Sequence, residues 1–175
     1  MRDYDTIMER LISGDVAALE DLSKVVDDFP CGKDDFIHRD WITNAIDCGT
    51  FEVIEWMLSK GVSLHLDDAE GYPVLHSAME RDKPDRFKVM QLLIDAGADI
   101  NARGINDYTP AHKAAAWGDF EALQFMVDAG ADLTMRTRID EYETPLGEAI
   151  AMGSTPNIIA YLQKKQTEQG GASDR

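Results

Sequence analysis

A chain of 175 residues with 33 acidic and 17 basic side chains carries a formal charge of −16, and 44% of it is apolar. That length fits one domain, the apolar share supports a packed core, and the acidity leaves no cationic face for duplex nucleic acid. No run reaches the roughly 20 apolar residues of a membrane span, and the charged start MRDYDTIMER does not read as a secretion signal.

In chain order, residues 3–29 predict a helix pair around Gly14, with Ile7, Met8, Leu11 and Ile12 before it and Val16, Leu19, Leu22 and Val25 after. An acidic connector follows, so residues 1–33 are expected to form a degenerate capping pair plus connector. Residues 34–66, 67–102, 103–138 and 139–165 then echo one another. DAGAD at 95–99 returns at 128–132, and Thr109-Pro110 returns as Thr144-Pro145. The column Ala45, Ala78, Ala114, Ala149 steps by 33, 36 and 35 residues. Residues 166–175 are polar and Gly-rich, and are expected to be a disordered tail.

Each copy decodes as helix, turn, helix, loop. Thr109 supplies a capping hydroxyl and Pro110 fits a first turn, where its missing N–H costs nothing. Ala111, Ala114, Ala115 and Ala116 allow close helix packing, and Gly118 stops the helix, as Gly49 and Gly153 do. The second helix shows Leu123, Met126 and Val127 at helical spacing, matched by Ile54, Met57, Leu58 and by Ile158, Tyr161, Leu162. Gly130, like Gly97 and Gly61, sits where a positive φ ends that helix. The third copy is longer between its helices: Asp82 to Gly97 spans 15 residues where the others span 12, so the turn at 82–86 is enlarged.

At these residues the chain resembles the ankyrin repeat family. The likeness rests on Thr109-Pro110-Ala111-His112 with Gly118 and Gly130-Ala131-Asp132. It rests equally on Leu75-His76-Ser77-Ala78 with Gly97-Ala98-Asp99. It covers about residues 34–165 and implies an all-α solenoid of stacked helix–turn–helix units with hairpin-like loops. Copy two carries Asp40-Trp41 where Thr-Pro is usual, and copy five has Gly147 in place of His. The resemblance also implies that His76 and His112 are structural.

No catalytic or metal constellation stands out. The four histidines lack i, i+4 spacing, the paired aspartates are widespread, and no P-loop, GxSxG or HExxH is present. Cys31 and Cys48 read as free thiols of a reducing compartment. The expectation is a cytoplasmic, non-enzymatic chain with neither metal nor cofactor. The columns that the resemblance places on the outward concave side and loop tips are the candidate partner-binding residues. They are Arg39, Asp47 and Cys48; Glu70, Tyr72, Glu80 and Arg81; Asn106, Tyr108, Ala116 and Trp117; and Glu141, Tyr142, Glu143, Ala151 and Met152. Tyr72, Tyr108 and Trp117 are the expected anchors, whereas Trp56 belongs to the second-helix packing surface.

By analogy, the function is recognition of another protein. A sharper alternative is a small acidic inhibitor or immunity protein that neutralises a basic toxin or nuclease. Residues 1–35 hold ten acids against four bases, a bias that would steer such a partner. A catalytic site in the enlarged turn at 82–86 or in the acidic N-terminal region, and an architectural role through self-association, are the remaining alternatives.

Overall fold

The computed structural model describes residues 2–65, 72–138 and 143–170. Among them are ten α-helices, one 3-10 turn and no strand beyond an isolated antiparallel bridge between Lys33 and Asp40. The all-α expectation holds. The chain divides into two compact units, Met1–Ala98 and Asp99–Arg175.

The N-terminal unit contains α1 (Arg2–Ser13), α2 (Val16–Leu22), α3 (Trp41–Cys48), α4 (Phe51–Ser59), α5 (Val74–Glu80) and α6 (Arg86–Asp95). Consecutive helices pair, and the pairs stack: α1 on α3 and α3 on α5, with α2 on α4 and α4 on α6. The buried residues follow the helical spacing read from the sequence. Ile7, Leu11, Leu19, Ile46, Ile54, Met57, Leu75, Met90 and Leu93 are fully enclosed. Trp56 is also buried, and its indole N–H donates to Glu20 at 2.8 Å.

The connector between α2 and α3 leaves Asp27, Asp28 and Asp35 exposed but is anchored at two points. Phe29 and Trp41 pack edge to face with centroids 5.5 Å apart, and Asp34 is only 1% exposed. The Asp34 carboxylate accepts from the backbone N–H groups of Phe36, Ile37 and Arg39 and from the Asn44 amide, at 2.7–3.2 Å. Burial alone would raise its pKa, but these donors outweigh that cost and hold the carboxyl below its ordinary value.

The C-terminal unit contains a 3-10 turn (Ile105–Asp107), α7 (Pro110–Trp117), α8 (Phe120–Asp128), α9 (Pro145–Ala151) and α10 (Pro156–Gly170). Helix α7 packs on α8 and on α9, and α9 packs on α10. The capping read from Thr-Pro is present: Thr109 Oγ1 accepts from His112 N, and Thr144 Oγ1 from Gly147 N. Helix α7 ends at Gly118 with φ +75°, a left-handed cap that an L side chain resists. Gly49 ends α3 differently. Its φ is −69°, and a Cβ there would meet Ala45 O at 2.7 Å, so space rather than backbone handedness demands glycine.

One boundary is corrected. Helix α10 runs to Gly170 rather than ending at 165, its Gln169 side chain reaching the loop after α8, where it accepts from Leu133 N (3.0 Å) and donates to Ala131 O (2.9 Å). The tail expected at 166–175 is therefore helical up to 170, and residues 171–175 lie outside the described ones.

Candidate functional site

In the N-terminal unit, Arg39 and Asp47 meet as an ion pair at 2.6 Å. Burial raises the Asp47 pKa despite the opposing pull of Arg39. Cys48 is half-buried, its thiol pointing to Asn44 O and pushed up by burial and then by Asp47. Tyr72 donates its hydroxyl to Glu80 and leans edge-on against the His76 ring, with centroids 6.2 Å apart. Burial first, then that carboxylate, pushes the Tyr72 hydroxyl well above its ordinary range. Glu70 lies outside the described residues.

Arg81 is a correction. Expected at an outward position, it is 3% exposed. Its guanidinium donates to Ile46 O (2.6 Å) and Gly49 O (2.9 Å), and forks onto Asp85 with two bonds of 2.8 Å. Lys83, in the enlarged turn, donates to Cys48 O (2.6 Å) and Gly49 O (2.7 Å). The physical reason lies in α3. Its last carbonyls have no further helical N–H, and two cations suit the negative end of a helix. The extra residues of copy three thus carry Arg81 and Lys83 onto the end of the preceding first helix.

In the C-terminal unit, Asn106 is exposed with a left-handed backbone (φ +58°) in the 3-10 turn. Tyr108 is half-buried; its hydroxyl donates to Glu148 at 2.7 Å, and its ring stacks on His112 at 5.8 Å. The His112 tautomer follows from its neighbours. Thr109 N–H donates to Nδ1 (3.3 Å), so Nδ1 is the acceptor and Nε2 carries the proton, which it donates to Glu143 O at 3.0 Å. Burial lowers the His112 pKa.

Glu143 is held through its backbone, pairing both ways with Thr137. Its carboxylate occupies the space where a side chain at position 147 would begin. Glu141 and Tyr142 lie outside the described residues. Asp107, which the sequence reading passed over, accepts from both Arg103 and Arg138 at 2.6 Å and ties the two loops of this unit together. Hydrogen bonds from Arg138 first, and then the charge of Arg103, hold the Asp107 carboxyl below its ordinary value although burial opposes them.

Of the anchors expected from sequence, Trp117 is the one left in solvent, 65% exposed, with Lys113 Nζ 4.5 Å from its ring centre. Met152 at the end of α9 is 61% exposed, and Ile150 is exposed beside it. Ser154 Oγ donates to Ala115 O at 2.6 Å, so the C-terminal ends of α7 and α9 lie side by side. That places Trp117 and Met152 at equivalent ends of neighbouring helices. Tyr72 and Tyr108 are instead engaged within the fold.

Among the described residues, no group of three or more His, Cys, Asp and Glu is arranged to hold a metal. No helix among them is long and apolar enough to cross a membrane.

The model of ankyrin repeats (many copies) matches residues 75–127 and 112–163. The chain belongs to the ankyrin repeat family. It is 29% identical over 129 residues to protein phosphatase 1 regulatory subunit 12A of Mus musculus, and 28% identical over 136 residues to that of Rattus norvegicus. These matches take in 74% and 75% of this chain but only 10% of each relative, so the chain spans about a tenth of their length. Repeats of this family generally mediate protein–protein interaction.

Proposed function

We propose that this chain is a non-catalytic protein-binding module whose main contact in the C-terminal unit is formed by the ends of α7 and α9. The observation that carries this reading is the exposure of Trp117, Met152 and Ile150 where two first helices end together. Folding gains nothing from leaving three large apolar side chains in water. A partner that covers them gains roughly 25 cal/mol for each Å² of apolar surface removed from solvent. Tryptophan is also among the residues that dominate binding hot spots. Helix capping, the Ser154 link and the Asp107 clamp hold the surface rigid before binding, which lowers its ordering cost.

The net charge of −16 is in keeping with a partner of opposite charge. Tyr72, Glu80, Asn106, Arg39 and Asp47 belong to the same reading as contacts at loop tips and first-helix ends of their own units. Arg81 leaves it. The regulatory-subunit designation of the mouse and rat relatives supports a role in which binding adjusts a partner rather than performing chemistry. Neutralisation of a basic toxin or nuclease draws only on the net charge of −16, and is one outcome of the test below.

The test is affinity capture with wild type and with Trp117→Ala/Met152→Ser, at low and moderate salt, followed by mass spectrometry. One protein retained by wild type and lost by the variant supports the reading, and its identity decides the toxin alternative. Equal capture by both would remove this surface from the account.

A further inference from the structure

We propose that the N-terminal unit carries a separate docking surface at the tip of the 34–39 loop, which takes a basic amphipathic segment of a protein partner. An apolar side chain of that segment rests on Phe36 and Ile37, and a lysine or arginine lies beside Asp27. This goes beyond the surface on α7 and α9 and does not depend on it.

The tip is built to stay out. Phe36 is 60% and Ile37 50% exposed, yet the loop that bears them is not free to fold them inward. The buried Asp34 carboxylate holds the N–H groups of Phe36, Ile37 and Arg39, Asp34 N donates back to Arg39 O at 2.8 Å, and the Lys33–Asp40 pair closes the base at 2.6 Å. The Phe36 ring rests on Tyr4, 5.3 Å between centroids, which fixes its direction. An apolar pair held rigid in water binds with little ordering cost.

Charge selects the occupant. Next to the tip lies a cavity of about 310 Å³ lined by Val25, Val26, Asp27, Lys33, Asp35 and Trp41. Among the described lining residues, Lys33 is paired with Asp40, while Asp27 has no ion pair. Val25, which lines the cavity, is itself exposed and extends the apolar strip. The first 35 residues hold ten acids against four bases, so the surroundings attract cations. The same charge opposes an anionic lipid surface, which leaves a basic protein segment as the matching chemistry.

The test uses a phage-displayed random dodecapeptide library, selected on the full chain and counter-selected on Phe36→Ser/Ile37→Ser. Enriched peptides are expected to pair lysine or arginine with leucine, isoleucine or phenylalanine. They should bind wild type about tenfold more tightly than the variant. Asp27→Asn should weaken them and flatten their salt dependence, while Trp117→Ala leaves them unchanged. Ile37→Ser alone preserves the Phe36–Tyr4 contact and guards against a folding defect, as does an unchanged melting curve. Failure to enrich, enrichment of acidic or uncharged peptides, equal binding to the tip variant, or loss with Trp117→Ala would each overturn the proposal. The last of these would leave the α7–α9 surface standing.

Discussion

Replacing Arg81 separates a structural cation from a binding one. In Arg81→Met, Asp85 loses both of its 2.8 Å bonds and Ile46 O loses its 2.6 Å donor, while Gly49 O keeps Lys83 at 2.7 Å. Ile46 O has no helical donor to fall back on, because Thr50 N donates to Leu11 O instead. Removing one member of a buried pair typically costs 3–5 kcal/mol. The Asp85 side chain is a quarter exposed, so water recovers part of its charge and the expected loss is about 3 kcal/mol. Arg81→Lys restores charge without the fork and should recover about half of that. The assay is urea unfolding in a Trp117→Phe background, where Trp41 and Trp56 report on the N-terminal unit alone. A double-mutant cycle with Asp85→Ala should give a coupling of about 1.5–2 kcal/mol. A loss below about 1 kcal/mol, or an unchanged midpoint with partner capture abolished, would refute the structural assignment and return Arg81 to the binding surface.

Three further outcomes are expected. Because burial lowers the His112 pKa from its ordinary value of 6.5, the unfolded chain binds more protons just below that pH. Wild-type stability should therefore fall as pH drops from about 6.5 towards 5.5, and His112→Gln should lose that part of the slope; identical slopes in both proteins would contradict it. Tyr108→Phe removes one hydroxyl donor from Glu148 and should lower stability by about 1 kcal/mol on thermal unfolding, whereas no change would mean the bond contributes nothing in solution. Asp34→Ala strands three backbone donors and should cost about 3 kcal/mol. Since the folded Asp34 carboxyl lies below its ordinary value, its contribution is complete above about pH 4 and lost only as pH falls through the lowered value, which an acid titration against the variant would show.

Local chemistry was legible in the sequence, and long-range polar contacts were not. Thr109-Pro110, Gly118 and Gly130 each act within one turn or one cap, so residue type and spacing were enough to place them. Arg81 occupies a column that faces outward in other copies. Its direction is set by carbonyls 32 and 35 residues earlier and by the extra length at 82–86, and no periodicity encodes that. Asp34 was one aspartate among many, and only its Asx-type bonds to Phe36 and Ile37 distinguish it from Asp35. Asp107 was hidden for a similar reason, its arginine partner lying 31 residues downstream. Among the candidate contacts, Trp117 stood out because a large apolar residue occupies a position where a small or polar one is expected, and Met152 followed from its column; both side chains are exposed. Tyr72 and Tyr108 looked equivalent to them, but a carboxylate within reach of each hydroxyl draws the rings into the fold.

The most direct test of the binding account is amide hydrogen exchange of the chain with and without its captured partner. Slowed exchange at residues 113–118 and 148–154, with α8 and α10 unaffected, is the predicted result. Protection confined to α8 and α10, with the ends of α7 and α9 exchanging as in the free chain, would contradict it.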